Sequence, residues 1–325
     1  MSFAFIKHDT KIDFIGKRHI AYVISILLLL VGLGSALWGN GLRMGIDFAG
    51  GVIVQVQFAQ PVEDEVLKKS LDVPELPGIS TQRFGEGTRD YLLRFSSAEN
   101  TDAAALRTNV LAALAKAFPG NDVEIQRLEI VGPKVGDDLT NKALGALYYA
   151  TLLIAVYISG RFEQRWMAGV AMAAVLWGGM YLAGLTGLSM GWLVLVALGI
   201  TLVVCFVLKL NFALGALVGL IHDVFITVGL LSLMSVEIDL NVMAALLTLV
   251  GYSLNDTIIV YDRIRENLQN QPEDNPAPLA DIINLSVNQT LGRTIMTSAT
   301  TLIAALSLTI LGGGPAHFPH SGAGR

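Results

Sequence analysis

The chain has 325 residues, of which 53% are hydrophobic and only 15% are charged. These are more apolar residues than one soluble core needs, so the composition predicts a membrane protein. A net charge of -5, with only 22 lysines and arginines, argues against a nucleic-acid-binding protein, because no dense basic stripe is available to neutralise phosphates.

The first apolar run, 19–38, is predicted to be a transmembrane helix that follows a cytoplasmic N-terminus, 1–18. Basic residues precede it, as they do in a signal peptide. However, the run has the full length of about 20 residues that a spanning helix needs, and the Gly-Asn-Gly sequence after it is a poor cleavage site. We therefore expect the helix to be retained.

The next segment, 39–141, has the composition of a soluble domain. Apolar and polar residues alternate in its predicted strands, whereas its predicted helices have a helical period. The expected elements, in chain order, are strand 52–58, helix 62–71, strands 79–84 and 91–95, helix 103–118 and strand 123–130. This β-α-β-β-α-β order predicts a ferredoxin-like α+β domain.

The rest of the chain, 142–313, is predicted to form a bundle of six further spanning helices, which makes seven in all. The six are expected at 142–160, 166–187, 189–208, 212–234, 239–261 and 294–312. If the N-terminus is cytoplasmic, the basic residues of every short loop fall on the cytoplasmic side and 39–141 lies outside the cytoplasm. We also expect a solvated connector at Glu266–Leu279 and a short surface helix at Asp281–Gln289.

Polar and charged residues interrupt three of the predicted spans. An isolated charge in a spanning helix costs about 2.5 to 3.5 kcal/mol on insertion scales, so these side chains should face a polar interior or one another. They are His222 and Asp223 in the fifth span, Asn255, Asp256 and Thr257 in the sixth, and Arg293, Thr297 and Ser298 in the seventh. These residues form the candidate functional site.

A carboxyl group shielded from water can take up and release a proton near neutral pH, and an approaching guanidinium favours the charged form again. Asp256 with Arg293 could therefore work as a proton-dependent pair. Moving one charge through the membrane potential is worth about 2.3 kcal/mol per 100 mV, enough to drive a conformational cycle.

A purely structural interpretation competes with this one. Buried polar groups also join membrane helices by hydrogen bonds worth roughly 0.6 kcal/mol each, which would account for Asn255, Thr257 and the hydroxyl residues after Arg293. Asp223 could share a local hydrogen-bond network with His222, and Arg293 could extend its side chain to the membrane surface.

Other kinds of chemistry find little support in the sequence. The single cysteine, Cys205, lies in an apolar run, which leaves neither a disulfide framework nor a thiol metal site. The outer domain offers no His/Cys cluster, phosphate loop or nucleophile arrangement. We expect no enzyme activity, no cofactor and no metal.

Five motifs occur in a specific order along the chain. They are Gly45-Ile-Asp-Phe-Ala-Gly-Gly51, Gly132-Pro-Lys-Val-Gly136, His222-Asp223, Gly251-Tyr-Ser-Leu-Asn-Asp256 with Asp262–Asn267, and Thr290-Leu-Gly-Arg-Thr294 with Thr297-Ser298. In these motifs the chain resembles the SecF family of protein-export subunits, over roughly 1–165 and 210–313.

The resemblance implies a polytopic α-helical membrane protein with an RND-like helix bundle in the bacterial inner membrane. It implies a SecD-like subunit, the SecYEG channel and a translocating unfolded polypeptide as partners, with YajC as a further candidate. Asp256 and Arg293 resemble the family's proton-relay carboxylate and arginine, and we expect Asp223 to take part in the same relay. The first two motifs imply structural roles for Gly45, Asp47, Gly50, Gly51, Gly132 and Gly136.

The chain departs from the family in two places. An extra helix pair, 166–208, precedes the His222-Asp223 helix; two added crossings keep every later residue on its expected side. Because Ala168–Trp177 can be aligned with the stretch that ends at Asp223, we interpret the pair as a decayed internal duplication. The family also has one more spanning helix, where this chain has an atypical tail, 314–325, that is too polar and short to cross a bilayer.

Three other functions stay open at this point. A scaffold subunit would use the charges only to specify helix pairing, and an RND-type exporter of small molecules or lipids would share the fold and the proton relay. An intramembrane aspartyl protease would use Asp223 and Asp256, but no Gly-x-Gly-Asp motif accompanies them.

Overall fold

The computed structural model describes residues 10–38, 41–71, 79–83, 89–95, 103–185, 187, 189–272 and 274–311. The chain divides into two compact units. The helical unit contains the residues up to Arg43 and Asn141–Ala299, and the sheet unit contains Met44–Thr140 and the residues from Thr300 onward. The predicted tail, 314–325, lies outside the described residues.

The sheet unit follows the first helix, α1 (Arg18–Trp38). Its described elements are α2 (Ile46–Ala49), β1 (Gly51–Phe58), α3 (Asp64–Ser70), β2 (Ser80–Arg83), β3 (Asp90–Phe95), α4 (Ala103–Ala117) and β4 (Val123–Val131). The four strands form one antiparallel sheet in the order β2-β3-β1-β4. This order confirms the predicted ferredoxin-like domain. Only the four-residue helix α2 was not predicted.

One face of this sheet forms the core of the unit. Every second residue of β1, from Val52 to Phe58, is buried, which is the period-two pattern of a strand with one covered face. The covering residues come from α3 and α4 and include Leu67, Val110 and Leu114. The ring of Tyr91 is buried in the same core, and its hydroxyl group donates to the carbonyl of Val62.

Six further helices follow the sheet unit in the described residues. They are α5 (Pro133–Glu163), α6 (Trp166–Gly184), α7 (Met190–Val207), α8 (Asn211–Leu233), α9 (Leu240–Gln269) and α10 (Leu279–Leu311). Each of the seven predicted spans falls on α1 or on one of these six. Six helices are long and apolar enough to cross a membrane: α1, α5, α7, α8, α9 and α10. The seventh, α6, has a shorter apolar stretch, Trp166–Gly179.

The prediction of a separate surface helix at Asp281–Gln289 is wrong. These residues are the beginning of α10, which continues without interruption through Arg293. Ile282, Ser286 and Thr290, four residues apart, are buried along one face of this first part, and no proline interrupts it. The predicted connector is also shorter than expected, because α9 continues to Gln269.

Helices α1 and α8 approach each other closely at two glycines. A Cβ atom on Gly32 would lie 2.9 Å from the Cα atom of Gly229, and one on Gly229 would lie 2.6 Å from the Cα atom of Gly32. One turn further along, the hydroxyl oxygens of Ser35 and Ser232 are 2.9 Å apart. Small residues and a hydrogen bond are the usual means by which membrane helices pack tightly.

The residues just before the extra pair α6–α7 contact the residues just after it. The carboxylate of Glu163, at the end of α5, accepts a hydrogen bond of 3.0 Å from the amide of Phe212, in the first turn of α8. Arg165 donates to the carbonyl of Leu208 after α7, at 2.9 Å. Because Glu163 and Arg165 satisfy backbone groups at these two helix ends, they fasten the turn before the pair to the turn after it.

Candidate functional site

The first polar contact of the site joins α8 to α9. Asp223 accepts a hydrogen bond of 2.6 Å from the hydroxyl group of Ser253, and its other carboxylate oxygen lies 2.8 Å from Nδ1 of His222. The side chains of His222 and Asp223 are 34% and 41% exposed. The predicted network of Asp223 with His222 is therefore present, but it also includes a residue of the next helix.

The second polar contact joins α9 to α10. The hydroxyl group of Thr297 lies 3.3 Å from Oδ1 of Asp256, and it also donates to the carbonyl of Thr294 at 2.9 Å. Asp256 is half-buried. The structure thus brings the predicted carboxylate of α9 to the hydroxyl-rich face of the helix that carries Arg293.

Arg293 itself stands apart from this contact. Its side chain is exposed, and among the residues that the structure describes it makes no ion pair with Asp256. It lies one turn before Thr297 on α10. The predicted pair of Asp256 and Arg293 is therefore not closed in this conformation, although Arg293 lies only four residues before the Thr297 that contacts Asp256.

The remaining predicted polar residues have separate positions. Asn255 and Ser298 are exposed, whereas Thr257 is half-buried and donates to the carbonyl of Ser253 at 3.0 Å. A hydroxyl that bonds its own helix one turn back is satisfied without a partner helix. For Thr257 this geometry agrees with the structural interpretation.

Ser253 is the functional candidate that the sequence reasoning missed. It lies three residues before Asp256, so both residues project from the same side of α9, and it binds the carboxylate of Asp223. The signal was present in the motif Gly251-Tyr-Ser-Leu-Asn-Asp256, where the serine is spaced at nearly one helical turn from the aspartate. Ser253 thus contacts the first carboxylate from the part of α9 that carries the second.

The two glycine motifs meet inside the sheet unit. Gly50 and Gly51 have φ angles of 70° and 133°, which side chains rarely allow. A Cβ atom on Gly136 would lie 2.6 Å from the carbonyl oxygen of Phe48, whereas one on Gly132 would meet open space. The backbone of the first motif therefore packs directly on α5 at Gly136, which agrees with a structural role for Gly50, Gly51 and Gly136. For Gly132 the expected structural role stays a prediction.

Two other residues of the first motif define the short helix α2. The carbonyl of Gly45 accepts hydrogen bonds from the amides of Phe48 and Ala49, at 3.1 and 2.9 Å. Asp47 lies in the first turn of α2 and is half-buried. This turn leads the chain into β1.

The arrangement offers two carboxylates in apolar helices, each bound to a hydroxyl group of a neighbouring helix. A hydroxyl group can donate to a charged carboxylate or accept from a protonated one, so both protonation states keep a partner. Among the described residues, no three His, Cys, Asp or Glu side chains are grouped as metal ligands would be. The site is thus built from carboxylate and hydroxyl groups on three neighbouring helices.

Two family models match the chain. The model for the C-terminal part of the protein export membrane proteins SecD and SecF matches residues 110–188 and again residues 185–318, and the model for the SecD/SecF GG motif matches residues 35–62. The two matches of the first model meet between α6 and α7. The duplication of the extra pair stays a prediction.

Curated relatives align along nearly the whole chain. The protein translocase subunit SecF of Calditerrivibrio nitroreducens is 36% identical over 308 residues, which are 95% of this chain and 85% of that protein. The subunit of the same name in Magnetococcus marinus is 38% identical over 310 residues, covering 95% of this chain and 83% of that one.

A solved structure is similar as well. It is that of SecDF from Thermus, described as a translocon-associated membrane protein, with a TM-score of 0.65 and 27% sequence identity. The similarity covers 95% of this chain and 35% of the SecDF chain. The chain therefore spans about a third of the length of that protein.

Proposed function

The chain belongs to the SecD/SecF family of protein export membrane proteins, and we propose that it couples proton movement through the membrane to drawing secreted polypeptides out of the SecYEG channel. The accessory role in Sec protein export is supported by the similarity, along 95% of the chain, to proteins named SecF. The coupling to proton movement is supported by the polar contacts between α8, α9 and α10.

The proton-carrying group in this proposal is Asp256. Its carboxylate is half-buried in an apolar helix and is bound by Thr297 of α10, one turn from Arg293. When Asp256 is charged, an approach of Arg293 is favourable, and when Asp256 is protonated that attraction is lost. Protonation of Asp256 would thus change the preferred position of α10 relative to α9. In this way proton binding would be coupled to a movement of the helix.

Asp223 provides a second protonatable group in the same bundle. Its hydrogen bond with Ser253 connects α8 to the turn of α9 that carries Asp256. We propose that Ser253 relays changes of protonation between the two carboxylates, since its hydroxyl group can donate to a charged carboxylate or accept from a protonated one and it lies three residues before Asp256 on α9.

A second membrane subunit is part of the proposal. Tyr252, Asn255 and Arg293 are exposed on the described surface of the apolar helices α9 and α10. A polar or charged side chain that faces hydrocarbon is costly, so this face favours a protein partner over lipid. A SecD-like subunit is the partner we propose, because the similar SecDF chain is far longer than this one. SecYEG and YajC remain further proposed partners.

The chain is a multi-pass membrane protein, and we propose that it lies in the bacterial inner membrane with a cytoplasmic N-terminus. The basic residues at the helix ends support this orientation, since Arg161, Arg165, Lys209, Arg263 and Arg265 would then face the cytoplasm together with Lys17 and Arg18. The soluble segment, 39–141, would lie in the periplasm.

Complementation tests the proposed function directly. The chain is expressed with its own SecD-like subunit in cells depleted of their SecD and SecF, and export of a secreted reporter is measured after equal membrane levels are confirmed. The proposal predicts that the pair restores export. Failure to restore export at normal membrane levels, with the two subunits purifying as one complex, would contradict it.

A further inference from the structure

The N-terminal segment is held on the first part of α10 by side-chain amides. Asn288 forms a two-way contact with the backbone of Ile12, accepting from its amide and donating to its carbonyl, both at 2.9 Å. One turn earlier, Asn284 accepts from the amides of Phe14 and Ile15, at 2.9 and 3.0 Å. The amide of Asn284 also donates to the carboxylate of Asp13 at 2.9 Å.

These contacts recognise the backbone of residues 12–16 in one conformation. Asp13 accepts from the amide of Gly16 at 2.8 Å, which closes a turn just before α1. A Cβ atom on Gly16 would overlap the carboxylate of Asp13, so a side chain at this position would displace the carboxylate. We call residues 12–16, as bound by Asn284 and Asn288, the N-terminal latch.

Another face of the same part of α10 is bound to α9. Asn267 donates to the hydroxyl group of Ser286 and to the side-chain oxygen of Gln289, at 2.8 and 2.9 Å. Ile282 and Ser286 are buried in the helical unit. The first part of α10 is therefore held from two directions, by α9 and by the latch.

The continuity of α10 connects this contact to the proton site. A helix of 33 residues is about 50 Å long at 1.5 Å per residue, well beyond the roughly 30 Å of a bilayer core. No proline lies between Leu279 and Leu311 to bend it. We therefore expect a displacement at Arg293 to be carried along the helix to Asn288, only five residues away.

The latch also connects α10 to the helix that carries Asp223. The latched residues lead directly into α1, which begins at Arg18 and packs against α8 through Gly32 and Gly229. The route from Arg293 to α8 thus runs through Asn288, the latch and α1, separately from the contacts at the proton site.

We propose that the N-terminal latch positions α10 and that it opens when α10 moves during transport. The latch consists of hydrogen bonds on an exposed surface, where Ile12 and Asp13 bury little, so it can break and re-form without exposing a core. Asn284 and Asn288 are positioning residues in this account: they act on Arg293 through the helix they share with it. The inference rests on the proposed export function.

A reversible crosslink tests whether the latch must open. Ile12→Cys and Asn288→Cys are combined in a Cys205→Ser background, and the whole chain is expressed with its SecD-like subunit. Oxidation should join the two cysteines, as quantified by mass spectrometry of the linked peptides. Export of the reporter by the double variant should then fall below its level in the reduced form and return to that level after reduction, whereas each single cysteine variant should export equally with and without oxidant.

A matched pair controls for crosslinking itself. Ser35→Cys with Ser232→Cys ties α1 to α8, where the two hydroxyl oxygens are 2.9 Å apart and no movement of α10 is blocked. This pair should crosslink without loss of export. The latch inference is overturned if the 12–288 pair does not crosslink in membranes, if the crosslinked chain exports as well as the reduced one, or if both pairs block export equally.

These outcomes separate the inference from the function on which it rests. If the parent chain fails to restore export, the proposed function is wrong. If that chain restores export and only the crosslinking result is negative, the function stands and the latch is a static contact.

Discussion

Ser253 of α9 donates a hydrogen bond to the carboxylate of Asp223 on α8, with 2.6 Å between the two oxygen atoms. This contact joins the helix of the first carboxylate to the turn of α9 that carries the second, Asp256. It brings together two residues that lie 30 positions apart in the sequence.

Replacing Ser253 by Ala should impair export while the chain still inserts and accumulates. The substitution leaves one oxygen of Asp223 without its bond to α9, and hydrogen bonds to charged groups contribute about 1.5 to 3 kcal/mol. The measurement is reporter export at equal membrane levels. Thr248→Ala is the matched control, since Thr248 is exposed on the same helix and bonds only the carbonyl of Ala244; equal loss in both variants would show that α9 is merely being destabilised.

The contact between α1 and α8 should depend on the absence of a side chain at Gly32. Gly32→Leu places carbon atoms where the Cα atom of Gly229 lies, and overpacking of this kind costs typically 1 to 3 kcal/mol. Gly34→Leu should be tolerated, because nothing lies within 4 Å of a Cβ atom there. Thermal aggregation of the purified chain in detergent compares them, and equal stability of the two variants would contradict the close approach.

In the sheet unit, Gly136→Ala should be harmful and Gly132→Ala harmless. A methyl group at Gly136 would lie 2.6 Å from the carbonyl oxygen of Phe48, while one at Gly132 would meet no atom within 4 Å. Both glycines belong to the same motif. A difference between the two variants would therefore come from the space around the added methyl group. The measurement is resistance of the sheet unit to limited proteolysis in membranes. A protected Gly136→Ala variant would mean that the two glycine motifs do not pack as described.

The N-terminal latch should not respond to pH in the physiological range. Hydrogen bonds from Gly16 and Asn284, with weaker help from Lys17 and Arg18, lower the pKa of Asp13 below its ordinary value of 3.8. A group whose pKa is lower in the folded state stabilises that state above its ordinary pKa and loses this contribution only as the pH falls through the lower value. The latch should therefore be intact from pH 8 down to about pH 5.

Spin labels at Lys11 and Leu285, both exposed, can follow this contact by electron spin resonance. Their distance distribution should stay unchanged over that range and should broaden in Asp13→Ala at every pH. A distribution that broadens between pH 8 and pH 6 in the parent would show that another group controls the contact.

Much of the architecture was predictable because its signals are local. The alternation of Val52, Val54 and Val56 identifies a half-covered strand, and the long apolar runs identify the spanning helices. The motif residues Asp256 and Thr297 were expected at one site, and the structure brings them to 3.3 Å.

What the sequence could not predict depends on contacts between distant residues. Whether Ser253 faces Asp223 depends on how α8 and α9 cross, and whether Arg293 reaches Asp256 depends on the rotation of α10. The first part of α10 was predicted as a separate helix, since its polar residues end the apolar signal although the backbone continues. The contact of Ile12 with Asn288 joins residues 276 positions apart, and no local sequence pattern predicts it.

The proton-relay role of Asp256 is tested most directly by Asp256→Asn, with Arg293→Met beside it. Each variant is expressed with the SecD-like subunit in depleted cells, at membrane levels equal to the parent, and reporter export is measured with and without a partial collapse of the proton gradient. We predict that the parent restores gradient-dependent export and that neither variant does. If Asp256→Asn supports export as well as the parent and keeps the same dependence on the gradient, the carboxylate is structural and the chain does not couple protons through this site.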